Sequence, residues 1–269
     1  MIFVANKIEI KNLYFDYIGK KESFEALEDI NLNIKEGEFV CILGSSGCGK
    51  STLLSILNGL NKAKSGEIVI DGEKVSGPGV NRATVFQNYS LFPWKTVKGN
   101  VLFGAKRSKN KKNYTKNERN QRVLSYIEKV GLLNSIDKYP YELSGGMQQR
   151  VAIARALALE ADILLLDEPF SAIDPKLRHE LQELVSKLSK EHNKTVVFIT
   201  HDIDEAILLS DRIVVMEPKR IKEVLEVRLD YPRVRDELIG RSDYDRLYKR
   251  LISLFYDNVR NDIDLEVVL

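Results

Sequence analysis

Gly44-Ser45-Ser46-Gly47-Cys48-Gly49-Lys50-Ser51, followed by Thr52, has the G-x-x-x-x-G-K-[ST] spacing of a phosphate-binding loop. The chemistry such a loop performs belongs to the backbone. Glycines allow a tight reversal in which successive N–H groups point at one set of phosphate oxygens. A helix starting near Lys50 adds the positive end of its dipole. Lys50 is expected to reach the β- and γ-phosphates of a nucleotide, and the Ser51 hydroxyl to sit on Mg²⁺.

Two further segments carry chemistry. Ile163-Leu164-Leu165-Leu166-Asp167-Glu168-Pro169 is a buried-strand pattern ending in two carboxylates. Beside a phosphate loop, Asp167 is placed to hold Mg²⁺ through water and Glu168 to orient attacking water as general base. Without that loop the same pair reads as a helix cap or a solvated turn. Leu143-Ser144-Gly145-Gly146-Met147-Gln148-Gln149-Arg150 opens a helix with Ser144 as its cap and an apolar stripe of Met147, Val151, Ala154 and Leu157. Gly145 and Gly146 leave bare N–H groups in the first turn, a second anion-binding helix end.

The elements that must position these residues are legible in outline. Ile8, Ile10, Leu13 and Phe15, then Ile30, Leu32 and Ile34, follow the alternation of half-buried antiparallel strands, and Glu36-Gly37 reads as a turn. Phe39–Leu43 is an unbroken apolar run, as in a strand covered on both faces. Leu53, Leu54, Leu57 and Leu60 then repeat at helical spacing. Short strands are expected at Glu67–Ile70 and Ala83–Phe86. Residues 90–150 read as an inserted helical lobe containing the basic segment Lys106–Arg119 and an amphipathic helix at Val123–Val130. Strands at Ile163–Leu166, Val196–Ile199 and Ile213–Met216 alternate with a helix at Lys176–Lys190, which Asp174 and Pro175 start well. The alternation implies a mainly parallel sheet. Residues 219–269 are expected to be a packing appendage whose helix carries Leu247, Leu251 and Phe255 on one face.

Composition narrows the class. The chain has 269 residues and a formal net charge of +2, which argues against a general nucleic-acid binder. Its two cysteines, Cys41 and Cys48, form no disulfide framework and fit a reducing compartment. Cys48, near a helix N-terminus, is in a setting where thiolate character can rise. No apolar run approaches the length of a membrane span, so any work at a membrane requires something else to hold the chain there.

Taken in order, these motifs resemble those of ABC-transporter ATPase subunits from about Ile8 to Met216, with LSGGMQQR as the signature. The resemblance implies an α/β fold, a P-loop NTPase (RecA-like) core with an antiparallel β subdomain and an inserted α-helical subdomain. It implies an ATPase domain over residues 1–216 and a short appendage over 217–269. It implies a head-to-tail homodimer in which ATP lies between the phosphate loop of one copy (Gly44 to Thr52) and Ser144, Gly145, Gly146 and Gln148 of the other. Gln87 resembles the residue that contacts Mg²⁺ and couples to the membrane subunit. Ser171-Ala172-Ile173-Asp174 resembles the loop that crosses the dimer interface, His201 the switch histidine at the γ-phosphate, and Tyr17 the ring that stacks on adenine. Phe15 and Phe24 lie close to Tyr17, and core packing is the alternative for its ring.

Gly77-Pro78-Gly79, Arg82, Leu91-Phe92-Pro93-Trp94 and Tyr231-Pro232-Arg233 are similar to segments of importers of the nitrate, sulfonate and taurine group. That likeness implies two integral membrane permease subunits, an extracytoplasmic solute-binding protein and residence on the cytoplasmic face of the cell membrane. Trp94 is expected either in the groove that receives a permease helix or packed in the helical lobe. Rival readings are a soluble ABC ATPase of translation or DNA repair, and an efflux-type cassette. One cassette without sustained heptads disfavours the first, and the Pro93-Trp94 context disfavours the second.

Overall fold

The computed structural model describes residues 6–19 and 22–266. The chain runs β1 (Asn6–Ile18), β2 (Ser23–Lys35), β3 (Phe39–Gly44), α1 (Lys50–Leu57), β4 (Ser65–Ile70) and β5 (Glu73–Lys74). It continues with β6 (Arg82–Val85), α2 (Val97–Arg107), α3 (Lys116–Lys129), α4 (Gly145–Ala158), β7 (Ile163–Asp167) and α5 (Pro175–Glu191). Last come β8 (Thr195–Thr200), α6 (Ile203–Leu209), β9 (Arg212–Glu217), β10 (Arg220–Glu226), α7 (Arg235–Leu238) and α8 (Ser242–Glu266). Two compact units result, one of Met1–Gly77 with Val197–Leu269 and the other of Pro78–Val196.

In the first unit, β2-β1-β4-β5 form an antiparallel sheet. Ile8, Ile10, Leu13 and Phe15 of β1 and Leu27, Ile30, Leu32 and Ile34 of β2 are its buried side, because alternate residues of a strand face opposite ways. All six residues of β3 are buried. This strand runs parallel to β9, with Val40 opposite Arg212 and Gly44 opposite Met216. A turn returns β9 antiparallel as β10.

The sheet therefore continues past residue 216, with β10 as an edge strand none of whose residues is buried. The β10 sequence Arg-Ile-Lys-Glu-Val-Leu-Glu alternates but carries many charges, and it falls in the stretch expected to be a packing appendage. Charged side chains are what an unpaired strand edge carries to discourage pairing with other chains. Beyond β10, the tail helix is present as α8, with Tyr244, Leu251 and Leu254 buried and Leu247 and Phe255 half-buried.

In the second unit β6 and β7 pair in parallel, and α4 packs on α2, α3 and β6. The helices expected between residues 90 and 150 are there, but the compact unit is wider, since it also holds β6, β7 and α5. Helix α3 is stabilised by a capping box between Thr115 and Glu118, and buries Val123 and Ile127. Asp174 caps α5 by accepting from the Leu177 N–H at 3.1 Å, with Pro175 in the first turn. The buried face of α5 is Leu181, Val185 and Leu188. No described helix is long and apolar enough to cross a membrane.

Candidate nucleotide-binding and catalytic residues

The phosphate loop belongs to the first unit, between β3 and α1. Two of its glycines are fixed by close approach. A Cβ on Gly44 would lie 2.7 Å from both the Cys48 sulfur and the Met216 carbonyl oxygen. One on Gly49 would lie 2.8 Å from the Ala26 carbonyl oxygen, and the φ of Gly49 is +111°. Gly47, at φ +81°, has open space around it, so its requirement is conformational. The N-cap of α1 is Gly49, which has no side chain with which to cap the helix. The Lys50 ammonium is buried and donates to the carbonyls of Gly44 at 2.9 Å and Ser45 at 2.6 Å. It spans the loop and holds a cation on its concave side. Ser46 and Ser51 are exposed.

Tyr17 stands at the edge of this cradle. Its hydroxyl shares a hydrogen bond with Thr52 Oγ1 at 3.0 Å, and its ring meets Phe15 edge-on at 4.9 Å. With 46% of its surface exposed, it is not a core residue and can offer a ring face to a base. Phe24, opposite Tyr17 in the β1–β2 pairing, is also exposed. His201 directly follows β8 and is exposed. The next residue, Asp202, caps α6 by accepting from the N–H groups of Asp204 at 2.8 Å and Glu205 at 3.2 Å.

Cys48 differs from its sequence reading. Its thiol is buried against Gly44, and burial pushes its pKa up more strongly than the neighbouring Lys50 pulls it down. Cys41 is buried and raised for the same reason.

The second unit assembles the remaining motif residues. Strand β7 is buried throughout and ends at Asp167. Glu168 follows with φ +45°, a left-handed conformation that costs an ordinary side chain energy and must be held by its surroundings. The side chain of Gln149, itself fully buried, does the holding. Its amide nitrogen donates to the Glu168 carbonyl at 2.9 Å, and its amide oxygen accepts from the Ala172 N–H at 3.2 Å. The Ser171 hydroxyl also donates to the Glu168 carbonyl at 3.0 Å. Gly146 lets α4 close onto this loop, since a Cβ there would sit 2.7 Å from the Ala172 carbonyl oxygen. Ser144 caps α4 through the Met147 N–H at 3.3 Å. Gln148 instead turns back, donating to Leu143 O at 3.2 Å. Two adjacent glutamines thus have different tasks, and the sequence reading singled out Gln148 without assigning a role to Gln149.

Gln87 is exposed just beyond β6. The backbone after it is anchored by Arg155, whose guanidinium donates to Tyr89 O at 3.1 Å and Ser90 O at 2.7 Å. The Tyr89 hydroxyl lies 3.0 Å from where a Gly145 Cβ would be, so the segment after Gln87 and the start of α4 are neighbours. Next, Asn100 braces the Leu91–Trp94 stretch by accepting from Phe92 N–H at 2.9 Å and donating to the carbonyls of Phe92, Lys95 and Thr96. Trp94 beyond this brace is exposed, touching Phe92 at 5.5 Å between ring centres. Elsewhere in this unit a cavity of about 390 Å³ lies among Tyr114, Arg122, Tyr126, Glu160 and His192, with Leu157 of α4 and Leu164 of β7 in its wall.

Burial and raised thiol pKa values give a direct expectation. Native protein treated with iodoacetamide near neutral pH should keep both cysteines unmodified while an unfolded control reacts fully. Rapid native labelling at Cys48, read by peptide mass spectrometry, would show an accessible thiolate instead.

The sequence profile of the family described as ABC transporter matches residues 27–171. The chain is 44% identical over 257 residues to an uncharacterised ABC transporter ATP-binding protein of Methanocaldococcus jannaschii, covering 94% of this chain and 92% of that one. It is 42% identical over 260 residues to the nitrate import ATP-binding protein NrtD of Synechococcus elongatus, covering 94% of each. Identity to the bicarbonate transport ATP-binding protein CmpD of Synechocystis is 39% over 258 residues, 95% of this chain and 91% of that one. A solved dimeric ATP-binding cassette in a post-hydrolysis state, with ADP and Pi bound, matches with a TM-score of 0.75 and 36% identity over 83% of this chain and all of that one. With its phosphate loop, its acidic strand end and its glycine-opened helix all built as described, the chain belongs to the ABC transporter family and is an ATP-hydrolysing cassette.

Proposed function

We propose that this cassette energises an importer for a small oxyanion, working as a head-to-tail pair on two integral membrane permease subunits at the cytoplasmic face of the cell membrane. The observation that carries the catalytic part is the Gln149 bridge. It ties the start of α4 to the loop that presents Glu168, so the helix that would meet a partner's ATP and the carboxylate that would drive hydrolysis move as one piece. Import rests on likeness to the nitrate and bicarbonate proteins. Nitrate and bicarbonate are small oxyanions, and sulfonates and taurine, anticipated from the sequence, carry an oxyanion group as well. An extracytoplasmic solute-binding protein would deliver the solute.

In the proposed cycle the backbone of residues 44–52 and Lys50 hold the phosphates, and Tyr17 offers its ring to adenine. Ser51, Asp167 and Gln87 present hydroxyl, carboxylate and amide oxygens, the hard donors that Mg²⁺ prefers, and the ion would neutralise charge on the phosphates. Glu168 orients a water and takes its proton as the oxygen attacks the γ-phosphorus. The bond to the bridging oxygen of ADP breaks, and His201 steadies the departing γ-phosphoryl group. Ser144, Gly145 and Gly146 of the second copy close the site through bare N–H groups. Loss of the γ-phosphate removes what both copies hold, and the pair opens. The braced, exposed Trp94 loop beside Gln87 is a suitable surface for a permease helix, where aromatic side chains are favoured.

Three outcomes are expected. Glu168→Gln should bind ATP, hydrolyse it very slowly and accumulate as a closed dimer in size-exclusion chromatography with light scattering. A monomeric ATP-bound mutant would count against the paired mechanism. Lys50→Ala should lose ATP affinity and activity together. Gln149→Leu should retain ATP affinity while kcat falls on the order of tenfold to a hundredfold, as displaced catalytic groups do. The transport reading is tested by pull-down of tagged protein from detergent-solubilised native membranes. A co-purifying polytopic membrane protein supports it, and recovery only with ribosomes, DNA or soluble partners overturns it.

A further inference from the structure

The segment after β10 grips both ends of α6, the helix that starts two residues beyond His201. At the C-terminal end of α6 the carbonyls of Ile207, Leu209 and Ser210 lie past the reach of the helix's own N–H ladder. The buried Arg233 guanidinium donates to Ile207 O at 2.7 Å and to Ser210 O at 2.6 Å, and Tyr231 Oη donates to Leu209 O at 2.9 Å. The same guanidinium also binds the carbonyls of Val227 and Leu229, at 3.2 Å and 2.9 Å, and its plane covers the Tyr231 ring at 3.9 Å. A cation at this end also complements the helix dipole.

At the other end, Asp204 is held twice. Tyr244 Oη donates to one carboxylate oxygen at 2.6 Å, and Arg235 pairs with the other at 2.7 Å. Asp204 is in the first turn, whose N–H group is already bound to Asp202. The Thr200 hydroxyl completes the link by donating to Glu205 at 2.6 Å and accepting from the Asp202 N–H at 3.0 Å. His201 lies within that two-residue span. The grip is itself anchored, because Arg250 of α8 pairs with Glu223 of β10 at 2.5 Å and Lys222 donates to Leu254 O at 3.3 Å.

We propose that residues 231–254 are a positioning bracket for the switch histidine: Arg233 with Tyr231, and Asp204 with Tyr244 and Arg235, fix α6 at both ends and so set where His201 presents its imidazole. The bracket rests on His201 acting in hydrolysis, as read above. It gives a positioning task to a segment that the sequence offers as a packing appendage with an importer-like Tyr231-Pro232-Arg233. None of its members belongs to the nucleotide-binding motifs, so its effect travels through α6.

Arg233 is too deeply bonded to remove safely, so the test uses the more exposed end. Full-length protein carrying Tyr244→Phe with Arg235→Gln is purified beside the unaltered chain and His201→Ala. ATPase kinetics, ATP affinity and the imidazole NMR signals of isotope-labelled histidine are compared. The chain has three histidines, His179, His192 and His201, so each signal is assignable by substitution. The double variant should bind ATP with unchanged KM, lose kcat about three- to tenfold, the range of couplings carried through packed elements, and shift the His201 signal while those of His179 and His192 stay put. Unchanged kcat, or a loss of kcat with an unmoved His201 signal, overturns the bracket. If His201→Ala keeps full kcat although the bracket variant moves the His201 signal, the failure belongs to the role of His201 and not to its positioning by the tail.

Discussion

A phosphate loop works only if its backbone N–H groups converge on one point, and convergence needs a chain reversal that no side chain obstructs. Here that demand falls on Gly44 and Gly49, each pressed against the backbone of a neighbouring strand or strand end. β3 delivers the chain to the reversal as a fully buried strand, and Met216, at the end of β9, is one of the atoms that leave no room for a Cβ at Gly44. The antiparallel sheet contributes Ala26 and Leu27 against Gly49. The cradle is therefore a consequence of how three separate strands meet, and Lys50 folds across it because the loop's own carbonyls are the nearest acceptors.

The other half of the chemistry follows a different logic. Glu168 is held in an unfavourable backbone conformation by bonds to its carbonyl. Strain of this kind persists only where neighbours over-determine the geometry. Gln149 supplies that determination with one side chain facing two backbone groups, and Gly146 gives the clearance for it. Arg155 does comparable work for the segment after Gln87. A buried carboxamide and a largely buried guanidinium, each spent on backbone carbonyls, keep the reactive side chains at the surface and the loops beneath them still.

The phosphate loop, the acidic strand end and the capped signature helix were legible because each requirement is local: a glycine, a cap or a charge at a fixed offset. What was not legible is long-range. Residues 148 and 149 are both glutamine, and helix α4 is buried around most of its circumference, so a stripe of apolar residues does not reveal which glutamine turns inward. Strand β10 does not stand out in the sequence because edge strands carry charge. Arg233 and Tyr244 reach partners 26 and 40 residues earlier in the chain, a pairing no local pattern announces. Cys48 reads as a reactive thiol from its place near a helix start, but burial, which the local sequence does not display, is the larger effect in this loop.

The pairing of β3 with β9 joins residue 40 to residue 212, while residues 78–196 form a compact unit from one continuous stretch. On the ribosome the continuous unit is complete well before the discontinuous one can be. Through that interval β3 lacks the β9 edge it later pairs with, the kind of unpaired apolar strand that is prone to aggregate. The order of synthesis thus places the backing of the nucleotide cradle late, because a chain that ends before β9 lacks the Met216 backbone packed against Gly44.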